Sequence, residues 1–283
     1  MFVAGTAGPE PRFAERWKID RRKGEHTANQ TKVARPETAG NEPRMLFFDV
    51  ETSPNISMTW GTYQQDVIKV MEHRQIFCFS WEWLHEPGIK VLALPDFPGY
   101  KRDPKNNKAL VAVLHSLISK AEIVVGHNVD QFDDKRANTD FIKHHLGPVP
   151  QHRTIDTLRF ARHKFDFNFN RLGDLGEFLG LGKKVRHWGF DLWDRCMKGD
   201  LVAWELMKRY NKGDVRLLRK VYFEMRPWMV GHPNMSGPDK HPGCPICRSI
   251  KLIPWGTYPT KWGRVQRFHC DNCGSWPKGK YIE

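Results

Sequence analysis

Four of this chain's six cysteines stand as two pairs, Cys244-Pro-Ile-Cys247 and Cys270-Asp-Asn-Cys273, with 22 residues between the pairs. Each pair can turn as a knuckle that brings both thiolates to one ion, and four thiolates close a tetrahedral structural zinc site. Pro242, Gly243, Pro245 and Gly274 suit tight knuckles. A segment this short cannot bury enough apolar surface to fold without such a staple. The stretch before it, PWMVGHPNMSGPDKHPG at 227–243, is rich in Pro and Gly and reads as a linker. The pattern predicts a separate module at 243–283 holding one structural Zn²⁺, joined by a linker at 231–242 to the rest of the chain. Cys78 and Cys196 stand alone and belong to no such pattern.

The 44–230 segment has a different texture. MLFFDVE at 45–51, QIFCFSWEW at 75–83 and IKVLAL at 89–94 read as strands. NNKALVAVLHSLISKA at 106–121 has helical spacing, and EIVVGHN at 122–128 is a short buried strand. FDDKRANTDFIKHHLG carries Phe132, Phe141, Ile142 and Leu146 toward a glycine stop, as a helix does. TIDTLRFARH, DLGEFLG and 201–225 supply further helices. Strands followed by helix, strand and helices predict an α/β domain with a mixed sheet. Residues 1–43 lack sustained periodicity and contain Pro9, Pro11, Pro36 and Pro43. They predict a flexible, mildly basic arm.

The first strand raises a chemical question, because Asp49 and Glu51 interrupt an apolar run. Side chains alternate along a strand, so Leu46, Phe48 and Val50 face one way, and Phe47, Asp49 and Glu51 the other. The two carboxylates stand on one face, roughly 7 Å apart at the backbone. They can share a divalent cation, or they can mark a solvated edge strand. Asp133 follows the next strand at a predicted helix start, where α/β sheets collect site residues, with Asp130 and Asp134 as rival carboxylates. Tyr210 and Asp214 lie four residues apart on one face of the long helix, close to its apolar stripe. Gly213 between them hints at close packing or a kink.

Taken together, Asp49-x-Glu51, Asn128-x₃-Phe132-Asp133 and Tyr210-x₃-Asp214 resemble, in order and context, the DEDD 3′–5′ exonuclease family of the RNase H-like fold. The tyrosine in the third motif matches the DEDDy branch, which includes polymerase proofreading domains. GHNVDQFD, TIDTLRFARHKF, LGEFLGLGKK and YNKGDVRLL are similar to stand-alone phage-type exonucleases. The resemblance covers about 45–230, and one departure is that DDKRAN after Phe132 is polar where many relatives carry a small apolar run. It implies an RNase H-like mixed sheet flanked by helices, with Asp49, Glu51, Asp133, Tyr210 and Asp214 catalytic. Asp49 would bridge two Mg²⁺ or Mn²⁺ ions, Glu51 and Asp214 would complete one, and Asp133 would hold the other. Tyr210 would orient the attacking water, since a phenol with pKa near 10 is a poor base at neutral pH. Asn128 and Phe132 are the substrate-binding candidates of the second motif. Asp156 reads equally as a capping acid, and His127 as a loop residue near the site. The cysteine segment resembles a zinc ribbon.

Composition bears on the partner. The net charge of +13 points to a polyanion, nucleic acid before membrane. Within the ribbon segment Trp255, Tyr258, Trp262 and Phe268 interleave with Arg264 and Arg267, which suits contact with nucleic acid or docking to protein. No apolar run approaches the roughly 20 residues of a membrane span. The first residues, MFVAGTAGPEPRFAERWK, lack the pattern of a signal peptide, so a cytoplasmic protein is expected, such as a phage protein in a bacterial host. The expectation is a metal-dependent exonuclease acting on DNA in preference to RNA from single-stranded 3′ ends, with a replication or repair protein as a further partner. An exoribonuclease with the same site and a non-catalytic nucleic-acid-binding protein stay open as alternatives.

Overall fold

The computed structural model describes residues 42–236 and 243–281, all within one compact unit, Thr38–Glu283. The expected arm, but for its last two residues, and positions 237–242 of the expected linker lie outside the described residues. In chain order, β1 (Met45–Thr52) leads through a short hairpin, β2 (Ile56–Met58) and β3 (Lys69–Glu72), to β4 (Ile76–Trp83) and β5 (Glu86–Ala93). Helix α1 (Lys108–Ile118), β6 (Ile123–Gly126), α2 (Asp133–Lys143) and β7 (Arg153–Asp156) follow, then α3 (Thr157–Lys164), α4 (Leu172–Phe178), α5 (Asp191–Met197) and α6 (Leu201–Met225). The C-terminal module is a three-stranded sheet of β8 (Leu252–Thr260), β9 (Gly263–Cys270) and β10 (Lys278–Tyr281).

The main sheet has the order β5-β4-β1-β6-β7, with β1, β6 and β7 parallel and β4 and β5 antiparallel to their neighbours. This is the mixed α/β sheet of an RNase H-like fold. β1 lies at the centre, and its alternation is realised in packing. Leu46, Phe48 and Val50 join a core cluster with Leu110 and Leu114 of α1 and Phe141 of α2. Phe47 instead meets Tyr222 of α6 edge-on, with ring centroids 5.2 Å apart. Each fully buried side chain of this size contributes about 1.5–3 kcal/mol, so the sheet's centre is held from both faces.

One reading of helix needs physical correction. TIDTLRFARH is not helical throughout, because Arg153–Asp156 pairs with β6 as an edge strand. The helix starts only after Asp156, whose carboxylate accepts the backbone N–H groups of Leu158 and Arg159 and caps it. The helix expected over FDDKRANTDFIKHHLG forms as α2; the polar DDKRAN run buries Asp133 and Ala137, and the next turn buries Phe141 and Asp140, an acid ringed by donors. Asp140 accepts from Arg136 at 2.6 Å, from the N–H of Ile76 at 2.8 Å and from Asn107 at 3.1 Å. The β2–β3 hairpin and α5 carried no clear periodicity.

α6 runs unbroken through Gly213, and the reason for the glycine is close packing: a Cβ there would meet Val185 Cγ2 at 2.8 Å. Gly176 in α4 is tighter still, since its Cβ would meet both Leu217 methyls at 2.7 and 2.8 Å and the Gly182 carbonyl at 2.9 Å. Gly176→Ala raises helix propensity yet overpacks this junction. The expected result is a loss of about 1–3 kcal/mol, read as a lower midpoint in thermal unfolding followed by circular dichroism.

Candidate metal centre

The site grows from a mismatch in strand length. β1 pairs with β6 only as far as Phe47, while its pairing with β4 continues to Thr52. The last residues of β1 therefore project past the end of β6, and the chain leaving β6 turns through Asn128, in the left-handed region at φ 73°. That turn delivers the first residue of α2, Asp133, to the vacant edge of β1, where its Oδ1 accepts the Val50 N–H at 3.1 Å. On the neighbouring face α6 crosses the strand. Ser80, opposite Asp49 in the ladder, donates to the Asn211 carbonyl at 2.8 Å, and Asn211 Nδ2 donates to Asp49 Oδ2 at 2.6 Å.

This crossing brings Asp214, one helical turn after Tyr210, against the strand. Carboxylate oxygens of Asp49, Glu51 and Asp214 all lie within 4.8 Å of one another. Asp133 stands beside this triad without sharing it, and after burial its charge is the largest influence raising Asp49's pKa. Burial first, then neighbouring carboxylates, push two of these acids out of their ordinary range, Glu51 to about 8 and Asp49 well upward; Asp214 is raised by burial against the pull of Lys184. Asp133 rises to about 7, mainly through burial, although the Val50 N–H pulls it down.

Lys184 is the cation in direct contact. Its Nζ lies 2.6 Å from Asp214 Oδ2 and donates to the Tyr210 hydroxyl at 3.0 Å. Burial works against its charge, but Asp214 and Tyr210 hold its pKa above the ordinary value. The second oxygen of Asp214, Oδ1, is buried without a hydrogen-bond partner among the described residues. Clustered hard oxygens, an orphaned acceptor and excess negative charge fit a divalent cation.

The site opens into a cavity of about 630 Å³ with Asp49 and Asp214 among its lining and Lys184, Arg162 and Arg171 beside them. His127 and Asn128 line it too, but Phe132 does not; its ring is half-buried against the main core under Arg74. His127 is held neutral, its pKa lowered to about 4 chiefly by burial, and bonds Thr157 and the Asn170 carbonyl at 2.9 Å each. The rival acids are otherwise engaged. Asp130 pairs with Arg159 at 2.6 Å, Asp134 with His152 at 3.7 Å, and Asp156 accepts the N–H of Asn128 as well as those of α3. Tyr210 packs against His187, 4.7 Å between ring centroids, and burial raises its phenol's pKa. Motif reading missed Lys184, Asn211 and His187. Asn211 was findable, lying beside Tyr210 and three residues before Asp214 on the same buried face; Lys184 and His187 sit in a loop without periodicity.

The four paired cysteines converge as expected, all Sγ atoms within 4.8 Å. Cys244 and Cys273 are 3.8 Å apart and Cys247 and Cys270 3.6 Å. A disulfide would be about 2.05 Å. Four thiolates about 2.3 Å from a tetrahedral ion lie about 3.8 Å from each other, so the spacing fits one metal such as zinc. The Ile246 N–H and Asn272 Nδ2 both point at cysteine sulfurs, at 3.4 Å each. A Cβ on Gly243 would collide with the Arg248 carbonyl, so the knuckle requires glycine.

No protein-family profile and no curated protein matches this chain. Solved structures do, among them the family B DNA polymerase from the hyperthermophilic archaeon Pyrobaculum calidifontis, with TM-score 0.50 and 12% identity. The match covers 69% of this chain but 26% of the polymerase, so the chain spans about a quarter of its neighbour, and at this identity the likeness is one of fold. Among the described residues no helix is long and apolar enough to cross a membrane.

Two measurements follow from these centres. Because Glu51's pKa is raised from 4.5 to about 8, the fold resists its ionisation: the stability cost is absent below pH 4.5, grows with pH and is complete above about 8. Glu51→Gln therefore raises the thermal midpoint of zinc-loaded protein without added Mg²⁺ or Mn²⁺ by about 4 °C at pH 8.5 and by less at pH 6. For the cysteines, elemental analysis is expected to find one zinc per chain, and Cys270→Ala to lose it along with the module's protease resistance.

Proposed function

We propose that this chain is a divalent-metal-dependent 3′–5′ exonuclease that hydrolyses DNA from single-stranded 3′ ends. The observation that carries the reading is the convergence of Asp49, Glu51 and Asp214 within 4.8 Å, with Asp133 beside them and an unpartnered Asp214 oxygen, in an open cavity with basic lining. In this reading Asp49, Glu51, Asp214 and Asp133 are the residues that would hold two Mg²⁺ or Mn²⁺ ions. Two such ions, when bound, lower the pKa of water and neutralise charge on the phosphoryl oxygens and the leaving oxygen.

The chain's own residues divide the remaining work. A water oxygen attacks phosphorus and gives its proton to solvent, the bond to the 3′ oxygen breaks, and that oxygen takes a proton from solvent to become the 3′ hydroxyl of the shortened strand, releasing a nucleoside 5′-monophosphate. Tyr210, held by Lys184 at 3.0 Å and by the His187 ring, orients the water as a hydrogen-bonding partner. Its raised pKa keeps the phenol protonated at neutral pH, which supports orientation over proton abstraction. Arg162 and Arg171 meet phosphates entering the cavity, and Phe169, 71% exposed beside them, offers a stacking face to a base. Asn128 reaches the same space from the left-handed turn. The fold neighbour is a DNA polymerase, which is consistent with DNA as the polymer; a replication or repair protein is proposed as a further partner.

The test offers 5′-labelled single-stranded DNA, duplex DNA and RNA to the zinc-loaded chain with Mg²⁺ or Mn²⁺, beside Asp49→Ala and Asp214→Ala. The expected result is a ladder shortening from the 3′ end of single-stranded DNA, slowed about a thousandfold in each variant, since the metal supplies several kcal/mol. Absence of degradation in both metals, or activity surviving Asp49→Ala, rejects the assignment. Faster shortening of RNA than of DNA would reassign the polymer.

A further inference from the structure

Between Gly243 and Tyr281 the chain carries seven Lys or Arg against a single acid, Asp271. The module's small core is made by the cysteines with Ile246 and Leu252. Its large aromatic rings are left outside that core: Trp262 is 77% exposed, Trp255 55%, Trp276 48% and Tyr258 39%. Leaving such rings in water forfeits burial that a module this small can hardly spare, so they answer to something other than folding.

Each ring is attended by a cation or by another such ring. Lys261 Nζ lies 4.9 Å from the Trp262 centroid, Lys278 Nζ 3.6 Å from that of Tyr258, and the Arg267 guanidinium 5.6 Å from that of Trp276. Trp255 meets Trp276 edge-on at 5.8 Å. Rings that stack with bases, interleaved with cations that meet phosphates, are what a single strand of nucleic acid needs, because every base offers a π-face. The sheet edge argues against a protein strand. Among the described residues β8 pairs with β9 alone, and its exposed run contains Pro254 and Pro259, which lack the N–H groups that strand addition uses. The surface is also anchored to the main body: the buried Arg248 donates to the carbonyls of Met235 and Ser236 at 3.1 and 2.9 Å.

We propose that the exposed aromatic and basic surface of β8, β9 and their turn is a second binding site for single-stranded nucleic acid. It holds the body of the strand whose 3′ end the acidic site processes. This rests on the reading above that the chain acts on polynucleotides. The two surfaces then divide affinity from chemistry, so that long substrates depend on the ribbon and minimal ones do not.

The test measures two things in the full, zinc-loaded chain. Binding of a fluorescein-labelled twenty-residue oligothymidylate is followed by anisotropy in an Asp49→Ala background, in Mg²⁺, across a salt series. Hydrolysis of the p-nitrophenyl ester of thymidine 5′-monophosphate, too small to span both surfaces, is followed in the background that retains Asp49. Trp255→Ala/Trp262→Ala is expected to weaken oligonucleotide binding about tenfold or more. Lys261→Glu/Arg264→Glu is expected to flatten the salt dependence by one to two phosphate contacts, roughly 0.7 in slope each. Trp262→Phe alone is expected to retain most of the affinity, and all variants to keep one zinc per chain and full activity on the small ester. Affinity and salt slope unchanged in both double variants overturn the proposal and assign the face to a protein. An uncleaved small ester, alongside lost oligonucleotide affinity in the ribbon variants, overturns the exonuclease reading alone.

Discussion

Repulsion among the carboxylates of Asp49, Glu51 and Asp214 sets the terms on which the rest of the structure is built. Charges within 4.8 Å of each other repel by about 3–4 kcal/mol per pair at an effective dielectric near 20. Protonation, Lys184 and Asn211 relieve that load, and an added divalent cation would relieve it further. The strand ladder, the α6 crossing and the Asn211 side chain together keep the acids from turning away. A site that stores unfavourable charge in this manner is preorganised for a cation, because the protein has already met the cost of bringing the ligands together.

Among the described residues the buried aspartates fall into two kinds, and hydrogen bonding separates them. Asp140 and Asp156 are ringed by donors: Asp140 ties α2 to the start of β4, and Asp156 joins the turn after β6 to the cap of α3. They hold secondary-structure elements in register. Asp214 is equally buried but keeps one oxygen without a partner. Asp133 belongs to both kinds, since it satisfies a strand N–H left open by the short β6 and still presses its charge on Asp49. Structural acids thus set the geometry on which the unsatisfied ones depend.

The C-terminal module follows a different physical logic. Thiol spacing replaces the apolar core that so few residues cannot supply, and this frees tryptophan and tyrosine to stand on the outside. A four-cysteine cluster able to hold a metal is therefore what lets so small a fold leave several aromatic rings exposed.

Much of the fold and site was legible locally. Period-two alternation placed Asp49 and Glu51 on one face of β1, helical spacing aligned Tyr210 with Asp214, and the Cys-x-x-Cys pairs announced their cluster. Each is a relation within a few residues, where backbone geometry leaves few choices. Asp133 could be singled out from Asp130 and Asp134 only through the resemblance of its motif; in the structure Asp130 meets Arg159 and Asp134 meets His152, while Asp133 lies against β1 beside Asp49. It also recruited Lys184 across 26 residues and Asn211 across 162, and left Phe132 outside the cavity. What the sequence determined by itself was the set of acidic and thiol groups and the face of the element on which each stands. Only the tertiary structure decided which charges meet, because that depends on strand lengths and helix crossings that long-range packing sets.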